Sequence, residues 1–253
     1  MQTKERIIYL LDTINENKIL QVKAIAEELG VSESTIRRDL KELELQGKLK
    51  RIHGGAVKNT GQNVLNGHKE TDMYQRMDIN YPEKVKICKL AAKKVKDGDC
   101  IFLDGGTTLV PLMGMLQYRP VTIVTHNYLA VAQLNRPKAQ IIVIGGDYSS
   151  KYAMGMGSMA QNEIAQFQFD VAFIGCAGID QKTGMAYTAE MSSREIKKIA
   201  LQNATRTYLL VDQSKMNVLG FCKFEALSTF DTIISEEGES SMEIDEEFML
   251  VEH

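Results

Sequence analysis

The chain has 253 residues, 44% hydrophobic and 25% charged, a composition that excludes disorder and fibrous architecture and leaves room for one large domain or a small and a larger one. No apolar run approaches the roughly 18 residues of a membrane span, and charges interrupt the opening stretch where a signal peptide would be apolar, so a cytoplasmic protein without membrane contact is expected. The net charge of −3 argues against a nucleic-acid partner only until it is divided: residues 1–58 hold 11 basic and 9 acidic side chains, leaving 19 and 24 for the rest.

Three short helices are expected first. Ile7, Leu10, Leu11 and Ile14 keep helical spacing, as do Val22, Ile25, Ala26 and Leu29, and then Ile36, Leu40 and Leu43. Gly30 can end the second helix in the left-handed conformation and Ser32 can cap the third, which makes a tight helix-turn-helix. After Gly47 the stretch "KLKRIHGGAV" predicts a small β-wing, with Lys48, Lys50, Arg51, His53 and Lys58 gathered in and around it. On the third helix Ser34, Arg37, Arg38 and Lys41 share one side, opposite Ile36, Leu40 and Leu43. A lone helix of this kind is most simply a solvated face. Joined to a preceding helix, a tight turn and a basic wing, with Ser34 and Thr35 in its first turn, it is a surface for double-stranded DNA. The arginine fork suits both guanine edges and phosphates.

The stretch "VSESTIRRDLKELELQGKLKRIHGGA" resembles the DeoR family of bacterial transcription regulators, with Val31, Ser32, Thr35, Ile36, Arg37, Arg38, Asp39, Leu40, Gly47, Arg51, His53, Gly54, Gly55 and Ala56 matching in place. The resemblance implies a recognition helix over residues 33–46 and a wing around 51–55. Ser32, Ser34, Thr35, Arg37, Arg38, Lys41, Arg51, His53 and Gly54 are the expected DNA-binding residues.

Residues 1–57 are thus expected to form a winged helix-turn-helix, and the polar stretch 58–81 a linker with some helix near its end. From 82 to 253 an α/β domain for effector sensing and oligomerisation is expected, with Pro82 in the first turn of a helix. Apolar runs at 100–104, 121–125, 141–146, 170–175, 207–212 and 231–235 alternate with helical stretches near 108–117, 128–134, 159–167 and 191–204. Such alternation implies a mostly parallel sheet covered on both faces. The acidic tail from Glu236 is expected to add a helix and an edge strand.

"FLDGGTTL" follows a strand and opens a helix, so the amides around Gly105 and Gly106, with the Thr107 and Thr108 hydroxyls, suit an anion, although a tight β–α turn would also need these glycines. Other strand ends carry Thr125, His126 and Asn127; Gly145 and Gly146; Gly175; and Asp212, Ser214 and Lys215. Open α/β sheets bind ligands at such ends, and a small phosphorylated anion would fit. The family resemblance extends here through "FLDGGTT", "VIGG", "AFIGCAGID" and "DQSK". It implies a ribose-5-phosphate-isomerase-like fold that senses a phosphorylated sugar, in a repressor of a carbohydrate operon. Asp104, Gly106, Thr107 and Thr108 would hold phosphate and Lys215 would neutralise it. One departure stands out: the family usually has Thr-Asn where this chain has Thr125-His126-Asn127, which points either to a changed ligand preference or to a merely substituted loop residue. A single helix-turn-helix reads few base pairs, so a homo-oligomer, dimer or tetramer, is expected on the operator.

The rival reading is a sugar-phosphate isomerase carrying a DNA-binding module. Isomerases of this fold have D-G-A-D-E where this chain has Gly175-Cys176-Ala177-Gly178-Ile179, and glycine cannot move a proton. Glu195 resembles the isomerase glutamate but stands alone, so no catalytic residue is expected. "GMGSMA", Gly155 to Ala160, fits a dinucleotide fingerprint but does not directly follow its strand. Cys176 has no assignable histidine partner, the four cysteines form no C-x-x-C pair, and the four histidines lack ligand spacing. No cofactor, metal or disulfide is expected.

Overall fold

The computed structural model describes residues 3–17, 19–45, 48–58, 65 and 72–236. Gly47, most of the stretch expected to be a linker, and the acidic tail from residue 237 lie outside the described residues. The chain divides into two compact units, residues 1–62 and 63–253.

In the first unit α1 (Thr3–Asn17) leads to a short strand β1 (Ile19–Gln21), then α2 (Val22–Leu29), α3 (Glu33–Leu45), and the wing strands β2 (Leu49–Ile52) and β3 (Gly55–Lys58). The stripes read from the sequence converge: Leu10, Ile14, Val22, Ile25, Ala26, Ile36, Leu40 and Leu43 form one buried cluster with Leu20, Leu49 and Ala56. Gly30 ends α2 at φ 63°. The strand β1 was not expected; it pairs antiparallel with β3, giving a three-stranded sheet in the order β1-β3-β2. That pairing explains the two wing glycines. Gly54 turns the hairpin at φ +77°, and a Cβ on Gly55 would lie 2.0 Å from the Leu20 carbonyl oxygen, so only glycine lets the strands approach.

The second unit begins earlier than position 82. Leu65 donates to the Leu219 carbonyl at 2.8 Å and accepts from the Phe221 amide at 2.7 Å. Met73, on the short helix α4 (Met73–Met77), is fully buried. Helix α5 (Tyr81–Ala92) follows with Pro82 in its first turn. The chain then runs β4 (Cys100–Leu103), a 3-10 turn (Thr107–Leu109), α6 (Val110–Leu116), β5 (Thr122–Thr125), α7 (Tyr128–Val131) and β6 (Gln140–Val143). A hairpin of β7 (Asp147–Ser149) and β8 (Met154–Met156) leads to α8 (Gly157–Ile164) and β9 (Phe169–Gly175). Then come β10 (Gly178–Asp180), β11 (Met185–Thr188), α9 (Met191–Gln202), β12 (Ala204–Leu210), β13 (Cys222–Ala226) and β14 (Thr232–Ile234).

Six strands form a parallel sheet in the order β14-β12-β9-β4-β5-β6, and β10, β11 and β13 form a small antiparallel sheet. Successive strand residues serve opposite faces. Ile101, Leu103, Val171 and Phe173 pack under α5 and α6, while Phe102, Ala172 and Ile174 pack under α8 and α9. Both faces are therefore dry, as the continuous apolar runs predict. The chain adds β5 and β6 on one side of β4 and then returns to add β9, β12 and β14 on the other. The order reverses between β4 and β9, and the crevice outside their carboxyl ends is where this architecture places a ligand.

Candidate functional site

At the start of α3, Ser32 Oγ accepts from the Thr35 amide at 3.2 Å and lies 2.8 Å from both the Ser34 and Thr35 hydroxyls. A cap of this kind contributes about 1 kcal/mol. Burial of Ile36, Leu40 and Leu43 turns Ser34, Arg37, Arg38 and Lys41 outward, all exposed, with Thr35 half-buried. Glu33 holds Arg37 at 2.7 Å in an exposed pair worth about 0.3–0.5 kcal/mol, weak enough for a phosphate to displace.

Asp39, next to Arg38, points the other way. Its carboxylate is buried and takes two hydrogen bonds from Arg6, through Nε to Oδ2 and from Nη2 to Oδ1 at 3.2 Å. The motif's two arginines thus face outward while its aspartate clamps α1 to α3. The wing is tied to the same helix: Glu44 accepts from the Arg51 side chain at 2.7 Å and from its amide at 2.8 Å. Burial raises the Glu44 carboxyl, but the Arg51 bonds outweigh it and hold it below its ordinary value. Arg51, His53 and Gly54 are exposed. All nine residues expected to bind DNA lie on α3, its cap or the wing.

In the second unit a cleft opens at the β4–β9 switch point. Gly105, Gly106, Thr107 and Thr108 line one wall, Gly175 another, and Lys215 reaches Thr108 Oγ1 at 3.3 Å. These six expected residues come together. Gly106 sits at φ +139°, a conformation side chains rarely adopt, so the loop can turn its peptides toward the cleft. Near Lys215, Asp212 Oδ1 accepts from Asn80 Nδ2 at 3.2 Å and from the Ser214 amide at 3.1 Å. Burial raises Asp212, yet the Lys215 ammonium 3.7 Å away outweighs it and keeps the carboxyl below its ordinary value.

The other expected residues lie elsewhere. Asp104 is fully buried, its carboxylate bound to Lys197 Nζ and accepting from the Gly175 amide at 2.9 Å, and it does not line the cleft. Burial raises Asp104, but the Lys197 charge prevails and holds it below the ordinary carboxylate range. Thr125, His126 and Asn127 are buried behind the Gly105–Thr108 loop. Thr125 Oγ1 donates to the Leu103 carbonyl at 2.6 Å, and Asn127 Nδ2 donates to the Asp104 and Gly106 carbonyls at 3.2 and 3.0 Å. Gly145 and Gly146 do not line the cleft. The Gly145 amide donates to Glu163 at 3.1 Å, and a Cβ on Gly146 would lie 2.4 Å from the Met156 carbonyl, so both serve the packing of α8 and the hairpin.

Sequence reasoning missed the opposite wall: Thr188, Glu190, Ser193 and above all Lys197. Lys197 is 3% exposed and also donates to the Gly175 carbonyl at 3.0 Å. The available signal was its position, because Ser193, Ile196, Ala200 and Leu201 mark the buried stripe of α9 and Lys197 lies inside it. Glu195, by contrast, is half exposed and bonded to Arg194 at 2.5 Å, outside the cleft. Cys176 lines the cleft, but burial pushes its thiol up to about 11, the opposite of what a nucleophile needs. Gly155 and Gly157 of the apparent fingerprint belong to β8 of an antiparallel hairpin and to the start of α8, so they do not follow a parallel strand as that motif requires. Among the described residues no helix is long and apolar enough to cross a membrane, and no His/Cys/Asp/Glu group could hold a metal ion.

Lys84, on α5, was also unforeseen. Its ammonium donates to the Arg76 carbonyl at 2.6 Å and is buried near Lys215, Asp212, Arg76 and Asp78. Burial first, then the Lys215 charge, lowers it to about 7. The unfolded chain therefore binds the extra proton between about pH 7 and 10.5, so stability should rise with pH across that window. Lys84→Met cannot titrate. In phosphate-free buffer its stability relative to the native chain is expected to fall by up to about 1.4 kcal/mol per pH unit above pH 7, read from urea midpoints.

Residues 6–62 match a family model described as the DeoR-like helix-turn-helix domain, and residues 79–237 match one described as the DeoR C terminal sensor domain. The lactose phosphotransferase system repressor of Lactococcus lactis subsp. lactis is 32% identical over 250 residues, 97% of this chain and 96% of that protein. The uncharacterized HTH-type transcriptional regulator FruR of Bacillus subtilis (strain 168) is 30% identical over 240 residues, 94% and 93% of the two chains. Among solved structures, ribose 5-phosphate isomerase A from Methanocaldococcus jannaschii aligns with a TM-score of 0.41 and 22% identity over 54% of this chain and 55% of that one.

Proposed function

This chain belongs to the DeoR family of DNA-binding transcription regulators, and we propose that it represses a carbohydrate-metabolism operon under the control of a phosphorylated sugar. The observation that carries the reading is the cleft at the strand-order reversal. Its near wall offers the Gly106, Thr107 and Thr108 amides, two hydroxyls and the Lys215 ammonium, the chemistry of a phosphate site. Its far wall offers Thr188, Glu190 and Ser193, which suit the hydroxyls of a sugar. Similarity over nearly the full chain to a lactose phosphotransferase system repressor supports carbohydrate control.

On the DNA side, Ser34, Arg37, Arg38 and Lys41 would enter the major groove while Arg51, His53 and Gly54 of the wing meet the backbone, with Ser32 and Thr35 at the phosphate-facing helix end. The working species would be a cytoplasmic homo-oligomer spanning two half-sites. A sugar phosphate would shift the operator-competent population only through differential affinity for the two states.

Fluorescence anisotropy on DNA from just upstream of the chain's own gene, with and without a sugar-phosphate panel, tests this. Affinity should fall linearly with salt on a log–log plot, and one sugar phosphate should change it. Arg37→Ala with Arg38→Ala is expected to cost about 2 kcal/mol or more of specific binding with the melting temperature unchanged. Binding that ignores both the double variant and every ligand would overturn the proposal, as would turnover of a sugar phosphate.

A further inference from the structure

His126, between Thr125 at the end of β5 and Asn127, is completely buried directly behind the Gly105–Thr108 loop. Its ring lies on Phe102, with centroids 6.0 Å apart and planes 17° from parallel. Nε2 accepts from the Gly105 amide at 2.9 Å, and Nδ1 lies 2.9 Å from the Gly155 carbonyl oxygen. These two bonds settle the tautomer. An amide can only donate and a carbonyl can only accept, so Nε2 carries the lone pair and Nδ1 the proton. Asp104 Oδ1 lies farther from the same Nε2, at 3.3 Å, and its carboxylate is engaged by Lys197 and the Gly175 amide.

We propose that His126 is a positioning residue for the effector site, fixing the Gly105 peptide so that the next three amides of the loop are presented to the anion. This rests on the reading of the cleft as a phosphate site. The ring joins two cleft walls. Gly105 begins the phosphate loop, whereas Gly155 follows Met154, whose side chain lines the cleft and packs on Gly105. A Cβ on Gly105 would meet Met154 Sδ at 2.8 Å and His126 Cε1 at 3.2 Å, so the loop seats on these two side chains. With its amide taken by Nε2, Gly105 is withdrawn from the ligand. The amides of Gly106, Thr107 and Thr108, which donate to no protein acceptor among the described residues, are left as the anion donors. Ring and loop are thus joined through the Gly105 amide, and the same ring is held from its other side by the Gly155 carbonyl.

Two substitutions separate positioning from mere filling. In His126→Gln the amide oxygen can occupy the Nε2 place and accept from Gly105. In His126→Asn the shorter side chain reaches only the Nδ1 place, toward Gly155. Inorganic phosphate binding to the full chain, read from 31P line widths, should stay within about threefold of the native value in the glutamine variant. It should weaken by about tenfold or more in the asparagine variant, although both keep the native melting transition. Histidine 15N spectra of the native chain should show one buried ring fixed as the Nδ1–H tautomer. Equal phosphate affinity in both variants, or a buried ring protonated at Nε2, would overturn the role of His126 while leaving the site in place. Failure of the native chain itself to bind phosphate, with Thr107→Val no different, would instead overturn the anion site and the role of His126 with it.

Discussion

Asp39→Ala is expected to remove operator binding by loosening the whole amino-terminal unit, at a cost of about 3–5 kcal/mol, because it strands the Arg6 guanidinium in the core without a counter-charge. Arg6 is 5% exposed and Asp39 1%, so water cannot take the place of the lost carboxylate. The pair is forked, each guanidinium donor meeting its own carboxylate oxygen, which fixes α1 across α3 as well as neutralising charge. Urea unfolding of the full chain should show the transition of the first unit moved to lower denaturant while that of the second stays put. Replacing both partners, Arg6→Met with Asp39→Leu, should return much of the lost stability, since a buried pair exchanged for apolar side chains is often neutral. An Asp39→Ala chain that keeps its stability and loses only DNA binding would mean that the carboxylate meets DNA directly. The contrast with Arg37→Ala and Arg38→Ala is then diagnostic: the same phenotype arises through exposed side chains without any change in melting.

How much of this was legible depended on how local each interaction is. The helix stripes, the Ser32 cap and the left-handed Gly30 depend on neighbours within a turn or two, and their spacing announces them. The six parallel strands were legible because burial on both faces leaves continuous apolar runs. β1 was not, since three residues carry no period and the strand exists only because β3 passes beside it. Leu65 was likewise hidden, as the partners of its amide and carbonyl lie more than 150 residues away. In the cleft the glycine and threonine loop could be read from its own sequence. Gly145 and Gly146 looked equivalent to it, yet they end the edge strand β6, and the hairpin that follows turns them toward α8. Lysines on helices are normally solvated, so Lys84 and Lys197 could be recognised only as exceptions inside apolar stripes. The partner that makes Lys197 tolerable is 93 positions earlier.

That partnership gives the second large effect. Lys197→Met should destabilise the second unit by about 3–5 kcal/mol at neutral pH, because Asp104 would remain ionised at 0% exposure with the Gly175 amide and no cation. The pH dependence carries the sign. In the native chain Asp104 lies below its ordinary value, so its contribution is complete above the unfolded pKa of about 3.8 and is lost only as pH falls through the lower folded value. In Lys197→Met burial loses its largest counterweight, the folded pKa of Asp104 would rise above that in the native chain, and the deficit should shrink between pH 7 and pH 5 as Asp104 takes a proton. A deficit constant over that range would mean that the cost is lost packing against Phe224, whose ring lies 5.7 Å from the ammonium. Asp104→Asn combined with Lys197→Met leaves no charge unpaired and should recover most of the stability. Phosphate binding should not return with it. Asp104 holds the Gly175 amide and Lys197 holds the Gly175 carbonyl, so the pair pins the β9 wall of the cleft from both sides. A methionine there can fill space but cannot hold that peptide, which separates what the ion pair does for the fold from what it does for the ligand.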